Sequence, residues 1–130
     1  MLGGDGRLHR SVKLVCHCLL IETDSGLVLV DTGFGTADVE HPRERLGMFY
    51  LLGTSPRLDM SETAHRQIVN LGYSVDDVRH VLLTHLDVDH PGGLPDFPKA
   101  RVHLLADEHA AANSPAGRQR MRGRPAQWSH

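Results

Sequence analysis

At 130 residues, with 40% hydrophobic and 23% charged residues, the chain has the make-up of one ordinary globular domain and excludes a disordered segment. A formal net charge of −2 removes any electrostatic case for nucleic acid or an anionic membrane as partner. The single basic run, residues 118–124 (R-Q-R-M-R-G-R), reads as a solvated segment.

Residues 1–12 are glycine-rich and polar, a flexible start. Residues 13–23 are rich in β-formers, Asp24-Ser25-Gly26 is a turn signature, and residues 27–30 are apolar. The pair predicts a β-hairpin with a three-residue connection containing glycine. Its continuous apolar character predicts strands covered on both faces or nearly so, and hence helices to follow. The apolar run 14–21 is too short to span a bilayer and lacks a small-residue cleavage site after it. Cys16 and Cys18 stand two apart, on one face of an extended strand, a spacing that rarely closes a disulfide. They read as two reduced, buried thiols, which places the chain in the cytoplasm. Cys16-His17-Cys18 is rejected as a metal site, because no second ligand pair accompanies it and His17 faces away from both thiols.

Asp31-Thr32-Gly33 ends the second strand. Asp31 can cap local backbone N–H groups there. Alternatively, it can accept a hydrogen bond from a ligand histidine and fix that histidine's tautomer. Residues 43–52 predict a short helix with an apolar cluster from Met48 to Leu52. Asp59 with Glu62 resembles a capping box, and Met60, Ala64, Ile68 and Leu71 recur at helical spacing up to Gly72. Ser74 caps a single turn through Asp77, and residues 80–84 form the next strand.

That strand delivers the stretch with most chemical content, residues 81–93, V-L-L-T-H-L-D-V-D-H-P-G-G. Side chains alternate in an extended segment, so His85, Asp87 and Asp89 project to one side. His90 joins them only if the chain turns, and Pro91-Gly92-Gly93 supplies the turn through glycine's tolerance of positive φ. Two imidazoles with two carboxylates suit Zn²⁺, Fe²⁺ or Mn²⁺, and two carboxylates this close repel unless a cation or protons neutralise them. The other histidines, His80 and His103 among them, read as surface or packed residues. Residues 94–98 are an irregular connection, 101–105 a strand and 106–112 a helix start. With no periodicity after Asn113, the chain divides into a domain over 13–113 and an irregular tail over 114–130. The order of elements is that of an α/β sandwich.

T-H-L-D-V-D-H-P-G-G resembles the metal loop of the metallo-β-lactamase superfamily, usually H-x-H-x-D-H followed by a glycine pair. The upstream L-V-L-V-D-T-G, residues 27–33, is similar to the family's second recurrent motif. One departure stands out: Asp87 replaces the second histidine, as in branches that look lactonase-like. The resemblance implies the N-terminal half of an αββα sandwich, with His85 and Asp87 serving one metal and Asp89 and His90 the other. It implies Zn²⁺, one or two ions, with Fe or Mn as alternatives, and Asp89 as the group that holds or deprotonates the attacking water. The implied reaction is hydrolysis of a small-molecule ester, lactone, thioester or amide. Because the family's remaining ligands come from a second half, the expectation is an incomplete portion of a longer hydrolase, with an apolar surface where that half would pack. Two alternatives compete. One is an inactive half-domain or interaction module. The other is a retroviral-type aspartic protease using Asp31-Thr32-Gly33; the helical stretches weigh against its largely β fold, and it leaves His85–His90 unexplained.

Overall fold

A computed structural model describes residues 14–119 and 125–128. Four strands form one sheet in the order β1 (Leu19–Thr23), β2 (Gly26–Val30), β3 (Val78–Leu82) and β4 (Arg101–His103). β1 and β2 pair antiparallel, and β2–β3 and β3–β4 pair parallel. The hairpin is present, but Thr23 stands opposite Gly26, so its connection is the two residues Asp24 and Ser25. Thr23 Oγ1 tightens that turn by donating to Gly26 O at 2.7 Å and accepting from Ser25 N at 3.2 Å. Residues 14–18, expected as strand, lie outside it. Leu19 pairs with Val30, the last residue of β2. Beyond it Asp31 turns the chain with φ +56°, leaving no partner for an earlier start.

Seven helices lie among the described residues: α1 (Thr36–Glu40), α2 (Pro42–Arg45), α3 (Met48–Thr54), α4 (Ala64–Asn70), α5 (Ala106–Asn113), α6 (Pro115–Gln119) and α7 (Pro125–Trp128). None of them is long and apolar enough to cross a membrane. The single helix expected over 43–52 is broken at Leu46 and Gly47. Leu46 is fully buried, and Gly47 takes φ +82°, a left-handed conformation that ends α2 and reorients α3. The stretch after Asn113, expected to be irregular, carries α6 and α7. The glycine-rich start and the side chains of the basic run lie outside the described residues.

The helix predicted from residue 60 also divides. Asp59 caps only a 3-10 turn over Met60–Glu62, accepting from Ser61 N. Thr63 then caps α4 by accepting from Arg66 N at 3.3 Å. We expect Thr63→Ala to cost about 1 kcal/mol, the usual worth of a threonine cap, read as a lower urea midpoint at unchanged slope. An unchanged midpoint would move the cap back to Asp59.

The core lies on one face of the sheet. Leu27 and Leu29 of β2, Val78 and Val81 of β3, and Ile68 of α4 are all buried there, joined by Leu83, Leu86 and Phe97 from the loops. The expectation of cover on both faces fails. Residues opposite one another across a sheet share a face, and the row Leu19, Val30, Leu82 and His103 runs along the open one. Leu19 is 59% and Leu82 41% exposed. α4 covers one face of the hairpin and β3, while the apolar residues opposite remain in solvent.

Candidate metal centre

Two distant segments meet at the C-terminal ends of β2 and β3. Asp31 N donates to Leu82 O at 2.8 Å, which sets the end of β2 against the exit of β3. Thr32, fully buried, donates from both N (2.9 Å) and Oγ1 (2.7 Å) to His90 O, and accepts from Gly93 N at 3.0 Å. A lone parallel bridge joins Gly33 to Pro91. The Asp-Thr-Gly segment therefore runs beside His-Pro-Gly-Gly as a short continuation of the parallel ladder.

β3 stops at Leu82, so residues 83–90 are loop, yet the alternation persists. Leu86 and Val88 are buried in the core side, while His85, Asp87 and Asp89 are half-buried on the outer side. The backbone N–H of Leu86, free of any strand partner, donates to Glu108 Oε1 on α5 at 3.0 Å. The turn that brings in His90 comes earlier than expected, closed by His90 N donating to Asp87 O at 2.9 Å. Gly92 and Gly93 are not among the glycines with positive φ. They are needed for close approach instead: a Cβ on Gly93 would meet Thr32 O at 2.9 Å, and one on Gly92 would meet Asp38 Oδ2 at 1.9 Å.

Hydrogen bonds settle the orientation of both imidazoles. Asp31, 5% exposed, accepts from Thr84 N at 2.9 Å, from Thr84 Oγ1 at 2.7 Å and from His90 Nδ1 at 2.9 Å. Having given its proton to Asp31, the Thr84 hydroxyl can only accept from His85 Nδ1, 2.9 Å away. Its 3.4 Å separation from His90 Nδ1 is the weaker contact, so that ring donates to Asp31. Both rings thus carry their proton on Nδ1 and offer the Nε2 lone pair. The ring centroids lie 3.8 Å apart with the planes tilted by 46°. His85 Nε2 faces Asp87 Oδ2 at 3.5 Å and His90 Nε2 faces Asp89 Oδ2 at 3.8 Å.

His85 thus has Asp87 as its nearest carboxylate at Nε2, and His90 has Asp89. Two donors on one tetrahedral Zn²⁺ stand about 3.3 Å apart, given metal–ligand bonds of about 2.0–2.1 Å. The donor chemistry and tautomers fit a divalent cation. Among the described residues no group of three or more ligands converges on one point.

Thr84 joins this hydrogen-bonded arrangement although no motif in the sequence singles it out. It was assigned to a strand, and only its position beside His85 could have drawn attention to it. Other groups crowd the site. Cys16 and Cys18 both flank Gly33 and are free thiols. The expectation that both are buried is corrected: Cys16 lies outside the sheet and is exposed, and Cys18 is half-buried. Burial and then the Asp31 carboxylate push the Cys18 thiol up to about 12. Desolvation and Asp89 push Cys16 up to about 11. Both shifts keep the thiols protonated at physiological pH in the metal-free chain. The Tyr50 hydroxyl on α3 is likewise pushed up to about 12, by burial first and by Asp89 second. Outside the loop, His80 Nδ1 and His103 Nε2 come within 2.9 Å across β3 and β4, so these two histidines are partners rather than isolated residues.

Comparison with known proteins adds family and fold. Residues 12–127 match the family model described as the metallo-beta-lactamase superfamily. The chain is 51% identical over 120 residues to a probable metallo-hydrolase of Mycobacterium tuberculosis, covering 92% of this chain and 38% of that protein. It is 30% identical over 101 residues to an N-acyl homoserine lactonase of Bacillus thuringiensis, covering 78% of this chain and 40% of that one. Among solved structures, an N-acyl homoserine lactone hydrolase with N-hexanoyl-L-homoserine bound at its catalytic metal centre aligns with a TM-score of 0.63 at 24% identity. That alignment covers 85% of this chain and 42% of the other. The chain spans about two fifths of the length of the curated relatives it matches.

Proposed function

The chain belongs to the metallo-β-lactamase superfamily, and on that premise we propose that it forms the metal-loop portion of a hydrolase acting on a lactone or ester with an apolar acyl part. The family relation is to metallo-hydrolases, and the mixed four-stranded sheet is a partial metallo-β-lactamase fold. The observation that carries the proposal is the chain of hydrogen bonds from Asp31 through Thr84, which holds His85 and His90 with both Nε2 atoms turned toward Asp87 and Asp89.

In this reading His85 and Asp87 hold one divalent cation, Zn²⁺ first and Fe or Mn as alternatives, while Asp89 and His90 hold a second. Such a cation supplies a nucleophile at neutral pH by acidifying water and polarises the substrate carbonyl. Asp31 and Thr84 keep the imidazoles in one tautomer, and Asp89 accepts a proton from the attacking group. The neutral Tyr50 hydroxyl remains available as a donor near Asp89. The acyl preference rests on α3: Met48, Phe49 and Leu52 are exposed, and the Tyr50 ring meets Phe34 edge-on at 6.2 Å beside the loop. The lactonase relatives favour the same substrate class.

The test is metal content and turnover together. After dialysis against Zn²⁺ the chain is expected to retain at least one equivalent, and His85→Ala with Asp89→Ala to retain close to none. Ring opening of N-hexanoyl-homoserine lactone, followed as proton release, should be abolished by a chelator and restored by Zn²⁺. Equal metal content in wild type and double variant would overturn the ligand assignment. Stoichiometric metal without turnover of lactone or ester would favour the inactive half-domain. The aspartic protease alternative falls with the family assignment, and Asp31 is in any case committed to Thr84 and His90.

A further inference from the structure

Val88 lies between the two carboxylates of the metal loop, and its carbonyl oxygen points inward. There it accepts a hydrogen bond from Gln127 Nε2 of α7 at 2.9 Å. The same nitrogen donates to Asp38 Oδ2 of α1 at 3.1 Å, and Gln127 is fully buried. Both partners are acceptors, so the amide has one possible orientation: nitrogen toward them, oxygen away. That oxygen, Oε1, has no partner among the described residues. Burying an unpaired amide oxygen is unfavourable. An apolar residue would avoid that cost, so the donor side of this amide has a specific use.

Its surroundings indicate the use. Asp38, fully buried, also accepts from Gly35 N at 3.0 Å and from Arg45 Nε at 2.9 Å. Burial pushes the Asp38 carboxyl up, opposed by those donors and by Gln127. Arg45 reaches onward to Gly92 O at 3.2 Å and to Ala126 O of α7. The carbonyls of Val88 and Gly92 stand two residues before and two residues after His90. One buried network of Asp38, Arg45 and Gln127 therefore grips the metal loop on both sides of that ligand.

We infer that Gln127 is a positioning residue for metal binding: by holding the Val88 carbonyl it sets the direction of the peptide between Asp87 and Asp89, so that both carboxylates face the imidazoles. The inference rests on the metal-centre reading above. It adds a residue 37 positions beyond His90 in the chain, on a separate helix.

The probe is Co²⁺, whose visible absorption reports ligand geometry and whose affinity is measured by competition with a chromophoric chelator. Gln127→Met keeps length and apolar bulk and removes the donor. It is expected to bind Co²⁺ roughly 10-fold or more weakly, as other changes to groups supporting metal ligands do, and to shift the absorption band. Its metal-free melting temperature should fall as well, since the two buried hydrogen bonds to Val88 O and Asp38 Oδ2 are lost, but the variant is expected to remain folded. If Gln127→Met does not fold, Gln127→Asn, whose shorter amide cannot span both contacts, is read the same way. Wild-type affinity and spectrum in a folded variant would overturn the inference and leave the metal reading standing. Failure of the wild-type chain to bind Co²⁺ would instead remove the metal reading and this inference with it.

Discussion

Gly92→Ala is expected to remove most of the stability of this domain, by about 3–5 kcal/mol, the cost of disrupting a buried ion pair from one side. The added Cβ would sit 1.9 Å from Asp38 Oδ2, 3.1 Å from its Cγ and 2.7 Å from Gly33 O. Asp38 has nowhere to retreat. It is fully buried and held by Gly35 N, Arg45 and Gln127, and the ion pair with Arg45 measures 2.9 Å. Either that pair breaks, leaving an uncompensated charge in the interior, or the loop lifts and the bonds between Thr32 and His90 are lost. Backbone strain plays no part, because Gly92 is not among the residues with positive φ. Gly53 of α3 is the control. An added Cβ there meets nothing within 4 Å, so Gly53→Ala should be neutral or stabilising by up to about 1 kcal/mol. Urea unfolding of the two variants decides the matter. A Gly92→Ala protein within about 1 kcal/mol of wild type would mean that Asp38 does not lie under the loop.

Asp31→Ala is expected to lower metal affinity about 10–100-fold, the usual effect of removing the group that orients a ligand histidine. Three donors lose their acceptor at once: Thr84 N, Thr84 Oγ1 and His90 Nδ1. A fully buried unpaired donor costs about 1–3 kcal/mol, and the loss here is smaller because Thr84 is exposed and His90 half-exposed, so water can enter. Alanine must also tolerate φ +56°, which adds about 1–2 kcal/mol. Asp31→Asn separates the causes. Asparagine accepts the left-handed backbone, and its oxygen keeps the bond from Thr84 N. Its NH₂ group then faces His90 Nδ1, which must become an acceptor and carry its proton on Nε2, the atom assigned to the metal. Asp31→Asn should therefore be closer to wild type in stability and nearly as deficient as alanine in metal affinity. Nitrogen chemical shifts of the His90 ring would display the exchanged tautomer. Wild-type affinity in Asp31→Asn would show that the carboxylate does not act through the tautomer.

The same residues show how far a one-dimensional reading reaches. Asp59, Ser74 and Gly72 were legible as stops and starts, because a cap acts within one turn of its own backbone. The shift of the helix start from Asp59 to Thr63 shows the limit of that reading: both residues satisfy the capping pattern, and only packing of Ala64 and Ile68 onto the sheet selects the second. Continuous apolar composition in the hairpin was misread as double cover, because composition does not say how many layers pack on a strand. Gly92 and Gly93 were credited with turning the chain, whereas their use is to let Asp38 and Thr32 come close.

From its sequence alone this protein has the histidines and aspartates of the loop, their alternation along it and the hairpin that precedes them, for these depend on neighbours a few residues away. Tertiary structure alone decides which imidazole nitrogen is presented, through Asp31 lying 53 residues before Thr84, and what supports the loop from beneath, through Asp38, Arg45 and Gln127. A hydrogen bond between segments that far apart exists only once the strands have paired and the helices have packed, and no local pattern in the chain encodes its direction.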